Sequence, residues 1–323
     1  MTTEQVERDS SDAAPAVVQS LFSLGQGETL LRTLVLGAGG QLGAEIVAEL
    51  RRREYEVLAM GRRQLDITDR DAVDAAFQKH QPQWVINCAA YNKVDLAEKE
   101  PEIAMKVNGL AVRNLAAACQ ASGATFLHFS TDHVFDGAKG APYVEEDVPN
   151  PPSSYAVSKL AGEFYARALC ESLYLVRVAG VFGPAGRYTR HSNFPELVLR
   201  RALEGASLRV VDDFFATPTY APALATRCID LFERAPHGLY HIGGGTAISW
   251  YRYALKILEA ACLQADIQPT NRENYPTPAR RPQQSALSNA KVEKLGIAPM
   301  PSLEDALSDY MEQRERLTPP GTA

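Results

Sequence analysis

Short apolar runs alternate with amphipathic stretches along the first half of the chain. The runs predict buried strands, because they are rich in Val, Leu, Ile and Phe and end at turn residues. They lie at 30–36, 56–60, 84–90, 125–131 and 173–181. The stretches between them predict helices at 44–53, 70–79 and 101–122, with another beginning near residue 155. Repeated alternation of strand and helix predicts a parallel sheet covered by helices on both faces.

A glycine-rich loop separates the first strand from its helix. The spacing is Gly-x-Gly-x-x-x-Gly from Gly37, or Gly-x-x-Gly-x-x-Gly if Gly40 is counted in place of Gly39. Such a loop lets backbone N–H groups approach a pyrophosphate at the helix N-terminus. It predicts an α/β fold with a Rossmann-type, doubly wound sheet that binds a dinucleotide. The loop residues expected at the cofactor are Gly37, Gly39, Gly40, Gln41, Leu42 and Gly43.

The second strand ends in a pair of arginines, Arg62 and Arg63. Arginine suits the 2′-phosphate of NADP, whereas an NAD site usually has an acidic residue that binds the ribose. The pair therefore favours NADPH and leaves NADH open; the alternative is an exposed basic loop without a ligand. Asp66 and Ile67 follow, and we expect them at the adenine.

The third strand runs into small residues, Ala89 and Ala90, followed by Tyr91. Ligands lie beyond the carboxyl ends of the strands in a doubly wound sheet, so these residues let a cofactor approach the backbone. Asn108, in the next helix, is either a buried residue that bonds the backbone or part of a proton relay behind Tyr155 and Lys159. We favour the backbone role, although we count Asn108 among the expected cofactor-site residues.

Tyr155 and Lys159 lie four residues apart at the start of a predicted helix and therefore share a face. An ammonium beside a phenol favours the phenolate, so we expect a lowered pKa for Tyr155, which suits a general acid. Ser130 and Thr131, at the end of the fourth strand, can hold a carbonyl oxygen. Together these groups can support hydride transfer to a ketone. The alternative is that Tyr155 and Lys159 are ordinary exposed helix residues.

After residue 182 the alternation becomes irregular. Helices are expected at 194–204, 222–233 and 250–263, and short strands at 208–211 and 239–242. We therefore predict a dinucleotide-binding domain at 30–182, with later returns to its sheet, and a smaller C-terminal substrate-binding lobe, mainly 183–316. Residues 1–29 are expected to be a flexible extension and 317–323 a tail.

Composition excludes several classes of protein. The net charge of −6 and the lack of a basic stripe argue against a nucleic-acid partner. No apolar run has membrane-spanning length, and the first residues do not resemble a secretory signal. Five cysteines without a Cys-x-x-Cys pair are expected to be buried free thiols, with no disulfide and no metal site. These features predict a cytoplasmic enzyme and leave a homodimer open.

A set of motifs occurs in an order that resembles one family. They are the loop Gly37 to Gly43, Asp66 to Asp69, Asn87 to Tyr91, Ser130 to Phe135, Tyr155 to Lys159, Ala216 to Thr219 and Ala279 to Pro282. This pattern resembles dTDP-4-dehydrorhamnose reductases, which are extended short-chain dehydrogenases, over nearly all of 31–310. The resemblance implies NADPH-dependent reduction of the C4 ketone of a nucleotide-linked 4-keto-6-deoxyhexose, with dTDP-4-dehydro-L-rhamnose as the first candidate and dTDP-L-rhamnose as product.

The same resemblance implies roles for individual residues. Tyr155 would protonate the developing alkoxide, Lys159 would bind the nicotinamide ribose and lower the pKa of Tyr155, and Thr131 would hold the sugar oxygen. The residues implied for the nucleotide-sugar substrate are Thr131, Asp132, His133, Asn193, Arg280 and Arg281.

Three departures from the family pattern fall on the substrate side. His133 stands where the family has a tyrosine, Ala179-Gly180 replaces a Ser-Trp pair, and the loop 186–193 is longer. His133 is therefore either an additional acid or a replacement hydrogen-bond donor. Two rival functions stay open. One is a sugar-nucleotide epimerase or dehydratase. Dehydratases carry Asp-Glu after the catalytic Thr, whereas Asp132 is followed here by His133, which argues against that function. The other is a non-catalytic NADP-binding subunit resembling the regulatory subunit of methionine adenosyltransferase.

Overall fold

The computed structural model describes residues 31–188 and 193–316. The expected extension at 1–29, the tail at 317–323 and the middle of the lengthened loop lie outside the described residues. The strands are β1 (Arg32–Leu36), β2 (Glu56–Met60), β3 (Trp84–Asn87), β4 (Thr125–Thr131), β5 (Leu173–Val178), β6 (Val181–Phe182), β7 (Leu208–Val211), β8 (Phe215–Ala216), β9 (Thr219–Tyr220), β10 (Gly238–His241), β11 (Ile248–Ser249) and β12 (Ile267–Thr270).

Helices follow most of these strands. They are α1 (Gln41–Arg52), α2 (Arg70–His80), α3 (Pro101–Met105), α4 (Ala111–Ser122), α5 (Ser154–Leu169), α6 (Phe194–Leu203), α7 (Ala221–Arg234), α8 (Trp250–Ala260), α9 (Ala290–Lys294) and α10 (Leu303–Arg316). Short 3-10 turns lie at Leu96–Glu98, Asp132–Val134, Pro184–Tyr188 and Arg272–Asn274.

The central sheet is parallel and has six strands in the order β10-β5-β4-β3-β1-β2. The chain leaves β1 for β2 on one side and then returns to β3 on the other. The order of strands therefore reverses between β1 and β3, and the crevice at such a point is where doubly wound folds bind ligands. This confirms the expected fold class. Strand β10 comes from far along the chain and completes the sheet beside β5.

Side chains of the sheet alternate between two helical layers. Leu34 packs with Val73 of α2 and Leu115 of α4, whereas Val35 packs on the opposite face with Ile46 of α1 and Leu224 of α7. All six side chains are fully buried. A third apolar cluster, drawn from 182–311, forms the core of the smaller lobe.

The helix expected at 101–122 contains a π-helical turn, Lys106–Leu110, that joins α3 to α4. Helix α5 packs tightly against this turn. A Cβ at Gly162 would lie 2.2 Å from the backbone carbonyl oxygen of Asn108, so only glycine allows the approach. The π turn and α5 are therefore held together at a fixed spacing.

Two other expectations need correction. The strand expected at 173–181 is divided into β5 and β6, because Gly180 between them has φ +50°, a left-handed conformation that interrupts a strand. Among the cysteines, Cys262 is exposed at the end of α8, and Cys88 is only partly buried. Cys262 lies in an apolar stretch of sequence, but the turn that ends the helix directs it to solvent.

Candidate active site

A cavity of about 350 Å³ opens at the carboxyl ends of β1, β3, β4 and β5. The strands end level with one another there, since Leu36 pairs with Asn87 and Thr131 pairs with Val178. The expected site residues that line this cavity are Gly40, Gln41, Leu42, Ala89, Ala90, Thr131, Asp132, His133, Tyr155 and Lys159. The sheet therefore brings residues of separate motifs into one place.

The glycine loop presents the N-terminus of α1 to the cavity. The N–H of Gly40 donates to the carbonyl of Gly37 (2.9 Å) in a tight turn, and α1 begins at the next residue, Gln41. No side chain caps α1, and its first turn has no acidic residue. A helix end of this kind carries partial positive charge and suits an anion such as a pyrophosphate.

Gln41 also connects the loop to the smaller lobe. Its amide donates to the carbonyl of Val181 (2.8 Å), and its Oε1 accepts from the amide of Asn193 (3.0 Å). Asn193 was expected at the substrate, but its Oδ1 caps α6 by accepting from the N–H of Glu196 (3.0 Å). Asn193 does not line the cavity. It holds the two lobes together, which its position in the sequence does not reveal.

The residues after β2 lie outside the cavity. Arg62 and Arg63 are exposed, and Arg62 reaches the carboxylate of Asp66 (3.3 Å). Asp66 also accepts from the backbone N–H and hydroxyl of Thr68, and the backbone bond is the first cause of its lowered pKa. The side chain of Ile67 is buried in the core of the sheet. The two arginines are the groups here that are open to an anion.

Asn108 fixes the loop that follows β3. Its Oδ1 accepts from the N–H of Tyr91 (2.8 Å), and its Nδ2 donates to the carbonyl of Tyr91 and to the hydroxyl of Ser158 (3.0 Å each). All its polar groups are thus used within the protein, as expected for a residue that bonds the backbone. The hydroxyl of Tyr91 donates to Glu100 (3.1 Å), and Tyr91 does not line the cavity. Asn108 therefore connects the loop after β3 to α5, on which Ser158 lies between Tyr155 and Lys159.

Tyr155 and Lys159 lie in the first turns of α5, whose N-cap is Ser153. Both are nearly buried and both line the cavity, so they are not ordinary exposed helix residues. The ammonium of Lys159 donates to the backbone carbonyl of Phe129 at the end of β4 (2.6 Å). This bond sets the position of the charge beneath the cavity.

The pKa expected for Tyr155 is wrong for the protein without a cofactor. Burial raises the pKa of Tyr155, a side-chain hydrogen bond with Thr131 lowers it in part, and Asp132 raises it further. Lys159 is not among the causes. Burial also lowers the pKa of Lys159 to about 8, although the carboxylate of Glu163 opposes this shift. Desolvation depends on tertiary packing, so helical spacing alone did not reveal it.

The end of β4 supplies a cluster of polar groups. Thr131 donates to Asp132 (3.1 Å) and accepts from the N–H of His133 (3.2 Å), and the other carboxylate oxygen of Asp132 accepts from Ser285. The ring of His133 stands edge-on to the ring of Tyr155, with centroids 5.8 Å apart. The cluster fixes Thr131 and His133 beside the phenol.

Ser130 and Thr131 have different roles, because successive residues of a strand face opposite sides. The hydroxyl of Ser130 donates to Glu163, which is also bound by Arg177. Neither Glu163 nor Arg177 was identified from the sequence. Two signals could have revealed them: Glu163 is four residues beyond Lys159 on the same helix, and Arg177 is a charge within an apolar strand. A buried charge of this kind requires a partner.

The two arginines implied for the substrate lie outside the cavity. Arg281 makes two bonds to the carboxylate of Asp95 (2.9 and 2.8 Å), which also accepts from the N–H of Ala279 (3.2 Å). Arg280 is exposed. Arg281 thus anchors the proline-rich loop, and Asp95 was not identified from the sequence.

Residues 31–188 and 193–316 contain neither a membrane-spanning helix nor a metal-binding cluster. No described helix is both long and apolar enough to cross a bilayer. No group of three or more His, Cys, Asp or Glu in these ranges could hold a metal ion.

Comparison with known proteins identifies the family. The family model described as "RmlD substrate binding domain" matches residues 31–316, most of the chain. The chain belongs to the dTDP-4-dehydrorhamnose reductase family. It is therefore an oxidoreductase, as the sequence predicts.

Individual relatives align with most of this chain and with most of their own length. A dTDP-4-dehydrorhamnose reductase of Streptomyces griseus is 39% identical over 290 residues, covering 86% of this chain and 92% of its own. The spore coat polysaccharide biosynthesis protein SpsK of Bacillus subtilis is 36% identical over 285 residues, covering 88% and 98%. The crystal structure of the Bacillus anthracis dTDP-4-dehydrorhamnose reductase in complex with NADP is 32% identical, with a TM-score of 0.84, and covers 88% of this chain and all of that one.

Two of the departures from the family pattern lie in the cavity wall. His133 and Gly180 both line the cavity that also contains Tyr155. Gly180 has no side chain to fill the space that an aromatic residue would occupy. The third departure, the loop 186–193, is only partly described.

Proposed function

We propose that this chain reduces the C4 ketone of a nucleotide-linked 4-keto-6-deoxyhexose with NADPH, and that the substrate is dTDP-4-dehydro-L-rhamnose. The observation that supports this most directly is the cavity shared by Thr131, Tyr155 and Lys159, at the uncapped N-terminus of α1. Relatives of similar length are named for this reaction.

The residues of the chain fit an NADP cofactor. The uncapped end of α1 suits the pyrophosphate, and the small residues Ala89 and Ala90 allow the nicotinamide half to approach β3. The exposed Arg62 and Arg63 suit a 2′-phosphate, because guanidinium groups bind phosphate oxygens in pairs. Support also comes from the Bacillus anthracis relative, whose crystal structure contains NADP.

When bound, NADPH supplies the hydride that is added to C4 of the sugar. Tyr155 holds the proton for the oxygen, because burial raises its pKa and keeps the phenol protonated at neutral pH. Thr131 binds the same oxygen and orients it toward the phenol. The ammonium of Lys159, held by the carbonyl of Phe129, favours the phenolate that remains after proton transfer.

The substrate side of the cavity differs from the usual pattern at two positions, and we propose a role for each. His133 donates a hydrogen bond to the sugar from beside the ring of Tyr155. Gly180 leaves room for a substituent that an aromatic side chain would exclude. Both residues therefore affect which sugar is accepted more than whether a ketone is reduced.

The test is NADPH consumption by the purified protein with dTDP-4-dehydro-L-rhamnose, with NADH and other nucleotide-linked ketosugars in parallel. Tyr155→Phe should lower kcat by about 10²–10⁴-fold, the usual contribution of a general acid, and leave NADPH binding intact. Tyr174→Phe is the matched control, since Tyr174 is buried away from the cavity and its hydroxyl donates to Ala235.

Two outcomes would contradict the proposal. Full turnover by Tyr155→Phe would mean that another group donates the proton. NADPH binding without turnover of any ketosugar would instead support a non-catalytic, cofactor-binding subunit.

A further inference from the structure

We infer that Glu163, held by Arg177 and Ser130, is a positioning residue that keeps the ammonium of Lys159 charged and in place beneath the cavity. The inference rests on the proposed function, in which Lys159 acts beside Tyr155. It assigns a task to a buried network that the reaction scheme does not otherwise use.

The first argument is the geometry of α5. Tyr155, Lys159 and Glu163 follow one another at intervals of four residues, so all three lie on the face of α5 that packs against the sheet. The relative exposure of Lys159 is 3% and that of Glu163 is 1%. The two opposite charges are therefore neighbours on one face and have little contact with water.

The second argument is the way in which the carboxylate is held. Arg177 donates from Nε (2.9 Å) and Nη2 (2.7 Å) to the two oxygens of Glu163, and Ser130 donates to one of them. Arg177 also lies 3.4 Å from Nε2 of His241 and 5.0 Å from the centre of the Phe135 ring. The carboxylate cannot rotate away from α5 without breaking these bonds.

The third argument is the charge around Lys159. The neighbouring Cys88 thiol is neutral because burial raises its pKa, and His128 is neutral because burial lowers its pKa. Tyr155 is also neutral. Among the groups around Lys159, the carboxylate of Glu163 raises the pKa of this lysine the most. Burial alone would drive Lys159 toward its neutral form.

Removing this charge has a defined consequence. In Glu163→Gln the cations of Lys159 and Arg177 remain buried without a counter-charge, so the pKa of Lys159 should fall below its present value of about 8. We expect a fall of at least about one unit, a tenfold change in acid dissociation. Because the ammonium is lost as pH rises, activity should decline at lower pH in the variant than in the native protein.

The experiment measures the pKa of Lys159 directly. Competitive acetylation of the cofactor-free protein with acetic anhydride, followed across pH by mass spectrometry, titrates this amine without requiring turnover. The pH dependence of kcat/KM is then recorded for the same proteins. The titration separates this inference from the proposed function, because it gives a result even if no ketosugar is reduced.

Glu233→Gln is the matched control. Glu233 is likewise a carboxylate paired with an arginine, Arg53, but it is only partly buried and lies on α7 outside the cavity. This variant should lose stability and leave the pKa of Lys159 unchanged. Glu163→Asp, which keeps the charge, should retain most of the native pKa.

A second variant covers the case in which Glu163→Gln does not fold. Glu163→Gln with Arg177→Met removes both charges, and such uncharged replacements of a buried pair are often tolerated. Its Lys159 pKa should lie below that of the native protein and above that of the single variant, if the latter folds. A Lys159 pKa that is native in the double variant, or in a folded single variant, would overturn the inference and leave Glu163 a structural role.

Discussion

Replacement of Gly162 by alanine tests how closely α5 must pack for catalysis. The added Cβ would lie 2.2 Å from the carbonyl oxygen of Asn108, whereas real Cβ atoms essentially never come within 3.0 Å of such an atom. The carbonyl belongs to the backbone of the π turn and cannot rotate away. Helix α5 must therefore move by about 1 Å, because a close-packed interior has no spare volume.

The shift would be transmitted to Lys159 and Tyr155, which lie about one and two turns before Gly162 on the same helix. A displacement of about 1 Å can cost on the order of 10²-fold in rate, so we expect a loss of that size in kcat/KM for NADPH-dependent reduction. Overpacking should also cost about 1–3 kcal/mol of stability, seen as a lower Tm.

The assay compares Gly162→Ala with Ala168→Val at a temperature well below both Tm values. Ala168 is exposed farther along α5, so its variant adds carbon atoms to the same helix without a clash. The control should keep native kcat/KM. If Gly162→Ala lowered the Tm and left kcat/KM unchanged, the spacing would matter for stability alone and the positioning argument would be refuted.

Three further predictions concern the surface. Asp95→Asn should lower the free energy of unfolding by less than about 1 kcal/mol, because the pair is partly exposed, and should lower the Tm slightly. Arg281 lowers the pKa of Asp95, so this contribution exists above about pH 4 and should disappear as pH falls, which thermal unfolding across pH would show. Replacing Arg62 and Arg63 by serine should raise the KM for NADPH about tenfold or more and leave that for NADH unchanged; equal changes would place the phosphate elsewhere. Cys262 should react at once with a thiol reagent under native conditions, and its protection would contradict its exposure.

The sheet and the chemical centre of the site could be predicted from the sequence. Strands β2 and β4 have the bounds that their apolar runs indicate, and parallel strands bring their carboxyl ends together. Thr131 and Tyr155 therefore share a cavity although they lie on different elements. Local pattern and strand direction are sufficient for inferences of this kind.

The remaining features depend on contacts between distant parts of the chain. Arg281 donates hydrogen bonds to Asp95, 186 residues away, and Asn193 donates one to Gln41, 152 residues away. No spacing rule predicts such pairs. The expectation that both residues contact the substrate rests on the family resemblance and stays a prediction. The predicted direction of the Tyr155 pKa shift was wrong for a related reason. Burial raises this pKa, and burial results from the packing of the whole domain.

The place of β10 in the sheet also affects how the chain folds during synthesis. Strand β5 lies next to β10, which begins about 60 residues after β5 ends. At about 5–20 residues per second, the ribosome would need on the order of 3–12 s to synthesise the residues between β5 and β10. During that time β5 has an unpaired edge. Open edges are templates for aggregation. A chain that ends before Gly238 should therefore aggregate in a sedimentation assay, because the edge of β5 then has no partner strand.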